Sequence, residues 1–121
     1  MTPKKSKGKY GRIYVRSGFE DRVKQDLEDR GVSYKYEDPD SYLYYQSYYK
    51  PDFTLDNGVL VETKGYLDAE SKAKMRKVKR DNPDVDLRIV FQKAYPSYVK
   101  WAEKNGFPWA EGSIPEEWIV E

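Results

Sequence analysis

The sequence contains neither cysteine nor histidine. Without cysteine there is no disulfide and no thiolate metal site. Without histidine there is no serine–histidine triad, no imidazole base and no histidine-ligated zinc. Any metal this chain binds must be held by oxygen, which favours Mg²⁺, Mn²⁺ or Ca²⁺. No apolar run reaches membrane-spanning length, and none of signal-peptide length follows the basic N-terminus. A cytosolic protein without a membrane partner is therefore expected. Apolar residues are scarce too, at 38% against 36% charged in 121 residues. One domain with a thin core is expected, and a thin core makes oligomerisation worth considering.

Charge of one sign is not in excess, since 22 basic residues meet 21 acidic ones. The distribution is more informative than the sum. Residues 1–16 carry Lys4, Lys5, Lys7, Lys9, Arg12 and Arg16 and no acid. Residues 68–80 set Lys72, Lys74, Arg76, Lys77, Lys79 and Arg80 against Asp68 and Glu70. Separated basic blocks in a nearly neutral chain suit a phosphate-facing surface. A solvated tail and a solvated helix face would fit them as well. Residues 1–9 read as a flexible basic arm, and 10–121 as a single domain.

Periodicity predicts a helix starting after Ser17, with Phe19, Val23 and Leu27 on one face and Gly31 ending it. Val32–Glu37 reads as a short strand. The following stretch is rich in tyrosine, with Tyr34, Tyr36, Tyr42, Tyr44, Tyr45, Tyr48 and Tyr49, and is broken by Pro39. A hairpin follows, Tyr49–Leu55 and Val59–Lys64 around Asp56-Asn57-Gly58. Asp68–Asn82 reads as a helix capped by Asp68, Leu87–Gln92 as a buried strand and Tyr95–Asn105 as a helix. Phe107–Ala110 reads as a last strand and Pro115–Ile119 as a final helical turn. The order predicts an α/β domain around one mixed sheet flanked by helices.

The hairpin carries the chemistry. Asp52, Glu62 and Lys64 offer two carboxylates and an amine. Such a set can hold a hard cation and a water against a phosphodiester, the lysine orienting or deprotonating the water. Strand alternation gives Glu62 and Lys64 one face and Val59 and Val61 the other. A two-residue Asn-Gly turn would set Asp52 opposite Thr63. A three-residue loop with Gly58 in the left-handed position pairs Leu55 with Val59, Phe53 with Val61, and Asp52 with Glu62. That register gathers apolar residues on one face and acids on the other. Opposed carboxylates repel, so it also predicts a cation. As a bare pattern the pieces are common, and an ordinary hairpin surface would contain them too.

Glu20 has two readings. With Ser17 it fits a capping box, and the same carboxylate could instead point at a metal. The tyrosines suit packing or a subunit interface better than base stacking. Lys72, Arg76 and Arg80 share a helix face suited to phosphates. With Arg12 and Arg16 they are the candidate DNA-binding residues.

Several separated pieces resemble the phage endonuclease I family, four-way-junction resolvases of the PD-(D/E)XK nuclease superfamily. They are Arg16-Ser17-Gly18-Phe19-Glu20-Asp21, Pro51-Asp52-Phe53, Asn57-Gly58, Val61-Glu62-Thr63-Lys64-Gly65, Asp86-Leu87-Arg88-Ile89-Val90-Phe91, and Ile114-Pro115 with Glu117-Trp118-Ile119. The resemblance runs from about Gly11 to Ile119. It implies a PD-(D/E)XK-like fold and a nuclease that cuts branched DNA, Holliday junctions above all, leaving 5′-phosphate ends. It implies Mg²⁺ or Mn²⁺ at Asp52 and Glu62, with the Thr63 carbonyl as a further ligand and Lys64 as the catalytic lysine. Glu20 becomes an active-site carboxylate. It also implies an intertwined, domain-swapped homodimer, in which Glu20 of one chain completes the other's site and residues 42–49 form the bridge. A phage-encoded protein of this kind would act in the host cytoplasm. A nuclease of duplex or nicking specificity, or a DNA-binding module without catalysis, are the competing functions.

Overall fold

The computed structural model describes the backbone of residues 11–120 and the side chains of residues 18–120. The basic arm at 1–9 and the side chains of Arg12 and Arg16 lie outside the described residues. In chain order the elements are α1 (Gly11–Asp29), β1 (Tyr34–Tyr36), a 3₁₀ turn (Pro39–Ser41), β2 (Leu43–Tyr44), β3 (Tyr48–Tyr49), β4 (Phe53–Leu55) and β5 (Leu60–Lys64). Then come α2 (Ala69–Asp81), β6 (Leu87–Phe91), α3 (Pro96–Lys104), β7 (Trp109–Glu111) and α4 (Glu116–Val120).

Five strands form one sheet in the order β1-β4-β5-β6-β7. The pairs β1/β4 and β4/β5 are antiparallel, and β5/β6 and β6/β7 are parallel, so the sheet is mixed. The parallel connections run through α2 and α3, as a crossover requires. Both helices cover the same face: Met75, Val78 and Ala102 pack with Leu60, Leu87, Ile89 and Phe91. The helix α1 covers the other face, where Phe19, Val23 and Leu27 meet Phe53, Leu55, Val61, Val90 and Trp118. With both faces covered, β6 can be a near-continuous apolar run. Fully burying each of the three α1 residues contributes about 1.5–3 kcal/mol.

The expected three-residue loop is the one that forms. Phe53 pairs with Val61 and Thr54 with Leu60. The Leu55 N–H donates to the Val59 carbonyl at 2.9 Å, and Gly58 takes φ +93°. Gly31, at φ +69°, closes α1: the Val32 N–H reaches back to Leu27 O at 3.0 Å and the Gly31 N–H to Glu28 O at 3.1 Å.

Two expectations need correction. The helix predicted after Ser17 begins seven residues earlier, at Gly11. No proline interrupts residues 11–17, and a serine inside a helix costs only a few tenths of a kcal/mol, about 0.5. Ser17 is therefore an interior residue, and the capping-box reading of Glu20 falls. The strand predicted from Tyr49 begins only at Phe53. Tyr48 and Tyr49 pair instead with Leu43 and Tyr44 in a separate two-stranded hairpin. Leu43 and Tyr49 pack into the α2 side of the core, and the Asn82 side-chain amide donates to Tyr44 O at 2.8 Å. The packing reading of the tyrosines holds for Tyr49, and for Tyr34 and Tyr36 against Phe53. Tyr44 and Tyr48 remain exposed.

Two aspartates make the fold acid-sensitive. Asp68 caps α2, accepting the Ser71 N–H at 2.8 Å. Its carboxyl is held below the usual range, first by the Ser71 hydroxyl. Asp86 is held low by two hydrogen bonds from Arg88, at 2.8 and 2.7 Å. A lowered folded-state value gives stability that is complete above the ordinary aspartate value and lost as pH falls through the folded one. We expect Asp68→Ala to lose about 1 kcal/mol at neutral pH. Its urea midpoint should fall less steeply than that of the parent protein below about pH 4.

Candidate active site

The last residues of β5 and the residue just before β4 lie at the same end of the sheet. Along β5 the side chains alternate, so Val61 and Thr63 face α1 while Glu62 and Lys64 face α2 and α3. Glu62 and Lys64 are only 3% and 5% exposed. The Lys64 Nζ lies 3.5 Å from Glu62 Oε2 and donates to Ser71 Oγ at 3.2 Å. The Ser71 hydroxyl in turn bonds the Asp68 carboxylate. A buried ammonium is thus fixed between the sheet and the first turn of α2.

Asp52 immediately precedes the Phe53–Val61 pair, and its carboxylate engages Thr63. Its Oδ2 accepts the Thr63 N–H at 2.8 Å and the Thr63 hydroxyl at 2.7 Å. Alternation of faces holds only within an extended strand. Asp52 follows Pro51 and precedes the first residue of β4, so its side chain is not bound by that rule.

Three carboxylates meet at Asp52. Glu20, Glu37 and Asp52 each bring an oxygen to within 4.8 Å of the other two, and Glu62 is outside this group. Glu20 comes from α1 and accepts a hydrogen bond from the Tyr36 hydroxyl. Burial, then that bond and the Glu20 charge, push the Tyr36 hydroxyl far above the usual tyrosine range, so it remains a neutral donor. Glu37 follows β1 at φ +48°, and its N–H donates to the Asp52 carbonyl at 3.0 Å. Lys50 Nζ lies 3.1 Å from Glu37 Oε1. Glu20 reaches Asp52 within a single chain.

Tyr36, Glu37, Lys50 and Ser71 are missed by reasoning from sequence. Ser71 had a usable signal, since a cap at Asp68 puts the third following residue in the first turn of α2. Nothing local marks Glu37, because its place depends on how β1 ends beside Asp52. The candidates Lys72, Arg76 and Arg80 all lie on α2, outside the carboxylate group. Arg80 is paired with Asp81 at 2.9 Å.

The donor set fits a hard divalent ion. It offers one carboxylate oxygen each from Glu20, Glu37 and Asp52, and three carboxylates crowded together suit a cation. Loss of the Ser71 hydroxyl should loosen Lys64 without touching the Glu20, Glu37 and Asp52 carboxylates. We expect Ser71→Ala to lower turnover about tenfold with KM within twofold, and Ser71→Thr to restore most of it. A fall in KM-dependent binding alone would show that Ser71 does not act through Lys64.

The family model for phage endonuclease I matches residues 1–121. This chain belongs to the phage endonuclease I family. It is 38% identical over 117 residues to Endonuclease I of Escherichia phage T7, covering 88% of this chain and 78% of that protein. It is 36% identical over 126 residues to Endodeoxyribonuclease 1 of Enterobacteria phage T3, covering 92% of this chain and 80% of that protein. Among the described residues no helix is long and apolar enough to cross a membrane.

Proposed function

We propose that the chain is a metal-dependent endodeoxyribonuclease that hydrolyses phosphodiester bonds in branched DNA, four-way junctions above all. The observation carrying this is a buried Glu62–Lys64 pair at the end of β5 together with the Glu20, Glu37 and Asp52 carboxylate cluster, in a chain whose family relatives are named as endonucleases. Mg²⁺ or Mn²⁺ would be held by Asp52, Glu62, Glu20 and the Thr63 carbonyl. When bound, the ion lowers the pKa of water and neutralises charge on the phosphate. Lys64, fixed by Ser71, orients the attacking water and stabilises charge on the pentacovalent phosphorus. Thr63 fixes the rotamer of Asp52, and Tyr36 that of Glu20. Cleavage breaks the 3′-oxygen–phosphorus bond and leaves a 5′-phosphate.

A junction needs two cuts on opposed strands, and a two-fold dimer offers two identical sites. We take the active form to be an intertwined homodimer. The support is the path of the chain: α1 and β1 are linked covalently to β4 through residues 37–52. If that segment opens, α1 of one protomer can take the same seat on its partner. Glu20→Gln and Glu62→Gln chains, each inactive alone, would then regain activity when refolded together. One site of the mixed dimer would be intact only if the halves are exchanged. Recovery of less than about a tenth of parental activity would argue for sites built within one chain.

The decisive assay compares a labelled four-way junction with linear duplex of the same sequence, with and without Mg²⁺. Cleavage of the junction only with metal supports the proposal. Equal cutting of duplex would indicate duplex or nicking specificity, and binding without cutting would indicate a DNA-binding module.

A further inference from the structure

The helix α2 starts at the catalytic lysine, through Ser71, and ends in a cationic cleft. The cleft has a volume of about 520 Å³ and is lined by Ala73, Arg76, Lys77, Lys79, Arg80 and Asn105. Its cations differ in how far they are engaged. Arg80 is held by Asp81 through two contacts, at 2.9 and 3.3 Å. The Lys79 amine lies over the Phe107 ring, 5.4 Å from its centroid. Among the described residues Arg76 and Lys77 have no ion-pair partner, and both are exposed. Ala73 contributes only a methyl group, which leaves room for a ligand. Asp81 pairs with Arg80 and Asp86 feels the charge of Lys79, so two acids stand against four cations and the cleft carries a surplus of positive charge.

We infer that this cleft is a second phosphate-binding site, which grips the backbone of the DNA arm leading away from the scissile bond. The inference rests on the nucleolytic reading above and gives the substrate a direction. From Ser71 to Arg76 and Arg80 the helix rises about 7 and 14 Å. With about 3.4 Å per nucleotide along a strand, that corresponds to phosphates roughly two to four nucleotides from the cut. An arm lying along α2 therefore has one phosphate at Lys64 and another in the cleft. Two fixed points on one arm define its direction, which a single point cannot. Selection of a branched substrate by its backbone path requires such a constraint.

The test uses the full chain and four-way junctions carrying one uncharged methylphosphonate linkage, placed in turn one to six nucleotides from the cleavage position. The parent protein should lose about fivefold in affinity when the neutral linkage lies two to four nucleotides away. The Arg76→Ala/Lys77→Ala variant changes only exposed side chains. It should bind the all-phosphate junction about tenfold more weakly at 0.1 M salt, with a salt slope lower by about two. It should show no further loss from the neutral linkages. An unchanged affinity and slope, or the same interference pattern in both proteins, would overturn the cleft. Absence of cleavage by the parent protein would instead overturn the nuclease reading, because the binding measurements do not depend on cutting.

Discussion

Lys64→Ala should cut DNA at least about a thousandfold more slowly, with junction affinity within threefold of the parent. The loss is large because nothing else near the site can replace the amine. The chain has no histidine, and Lys50, a nearby cation, is engaged by Glu37. The same substitution leaves Glu62 buried without its counter-charge, which costs about 3–5 kcal/mol. A lower melting temperature is therefore expected, and slow cutting alone could be blamed on unfolding. Assaying well below the variant's melting temperature separates the two effects. The folded Lys64→Ala protein should bind DNA as the parent does while cutting stays absent. Calorimetric melting and single-turnover cleavage of the same preparations would check this. Cutting at the parental rate by the folded variant would mean that Lys64 serves the fold and not the reaction.

The parts legible in the sequence were those set by short-range rules. The hairpin register followed from Gly58 and from the need to pair Leu55 with Val59 on a buried face. The cap at Asp68 and the apolar run Leu87–Phe91 were equally local. The failures share a different cause. Asp52 lies one residue outside its strand, where a two-residue period no longer fixes direction, so its hydrogen bonds to Thr63 were not foreseeable. Glu37 and Tyr36 reach the site because β1 pairs with β4 and α1 packs across them. Those contacts are set by tertiary packing, and no spacing along the chain encodes them. Glu20 shows the same limit, since a plausible local cap at Ser17 gave way to a helix that starts at Gly11.

Asp52→Asn should abolish metal-dependent cutting, a loss of about a thousandfold or more, yet leave the metal-free protein as stable as the parent or more so. Two effects oppose each other. Asp52 anchors the Thr63 N–H and hydroxyl at 2.8 and 2.7 Å, and losing that anchor would destabilise. Asparagine keeps an acceptor oxygen at the same position, so most of the anchor survives. Its charge, however, is gone. With oxygens of Glu20 and Glu37 within 4.8 Å, each like-charged pair costs between about 1 kcal/mol in water and about 3.5 kcal/mol at an effective dielectric of 20. Glu20 and Glu37 are only partly buried, so the lower figure applies, and a gain of about 1 kcal/mol is expected. Divalent metal reverses the comparison. At a hundred times its dissociation constant, an ion bound only by the folded parent adds about 2.7 kcal/mol. The Asn variant should gain little of this. Melting both proteins in chelator and in Mn²⁺ gives four midpoints, and the order of the two proteins should invert between the two conditions. An equal rise with Mn²⁺ in both would mean that the cation is held elsewhere. A large fall for the variant in chelator would mean that the Thr63 anchor outweighs the crowding of three carboxylates.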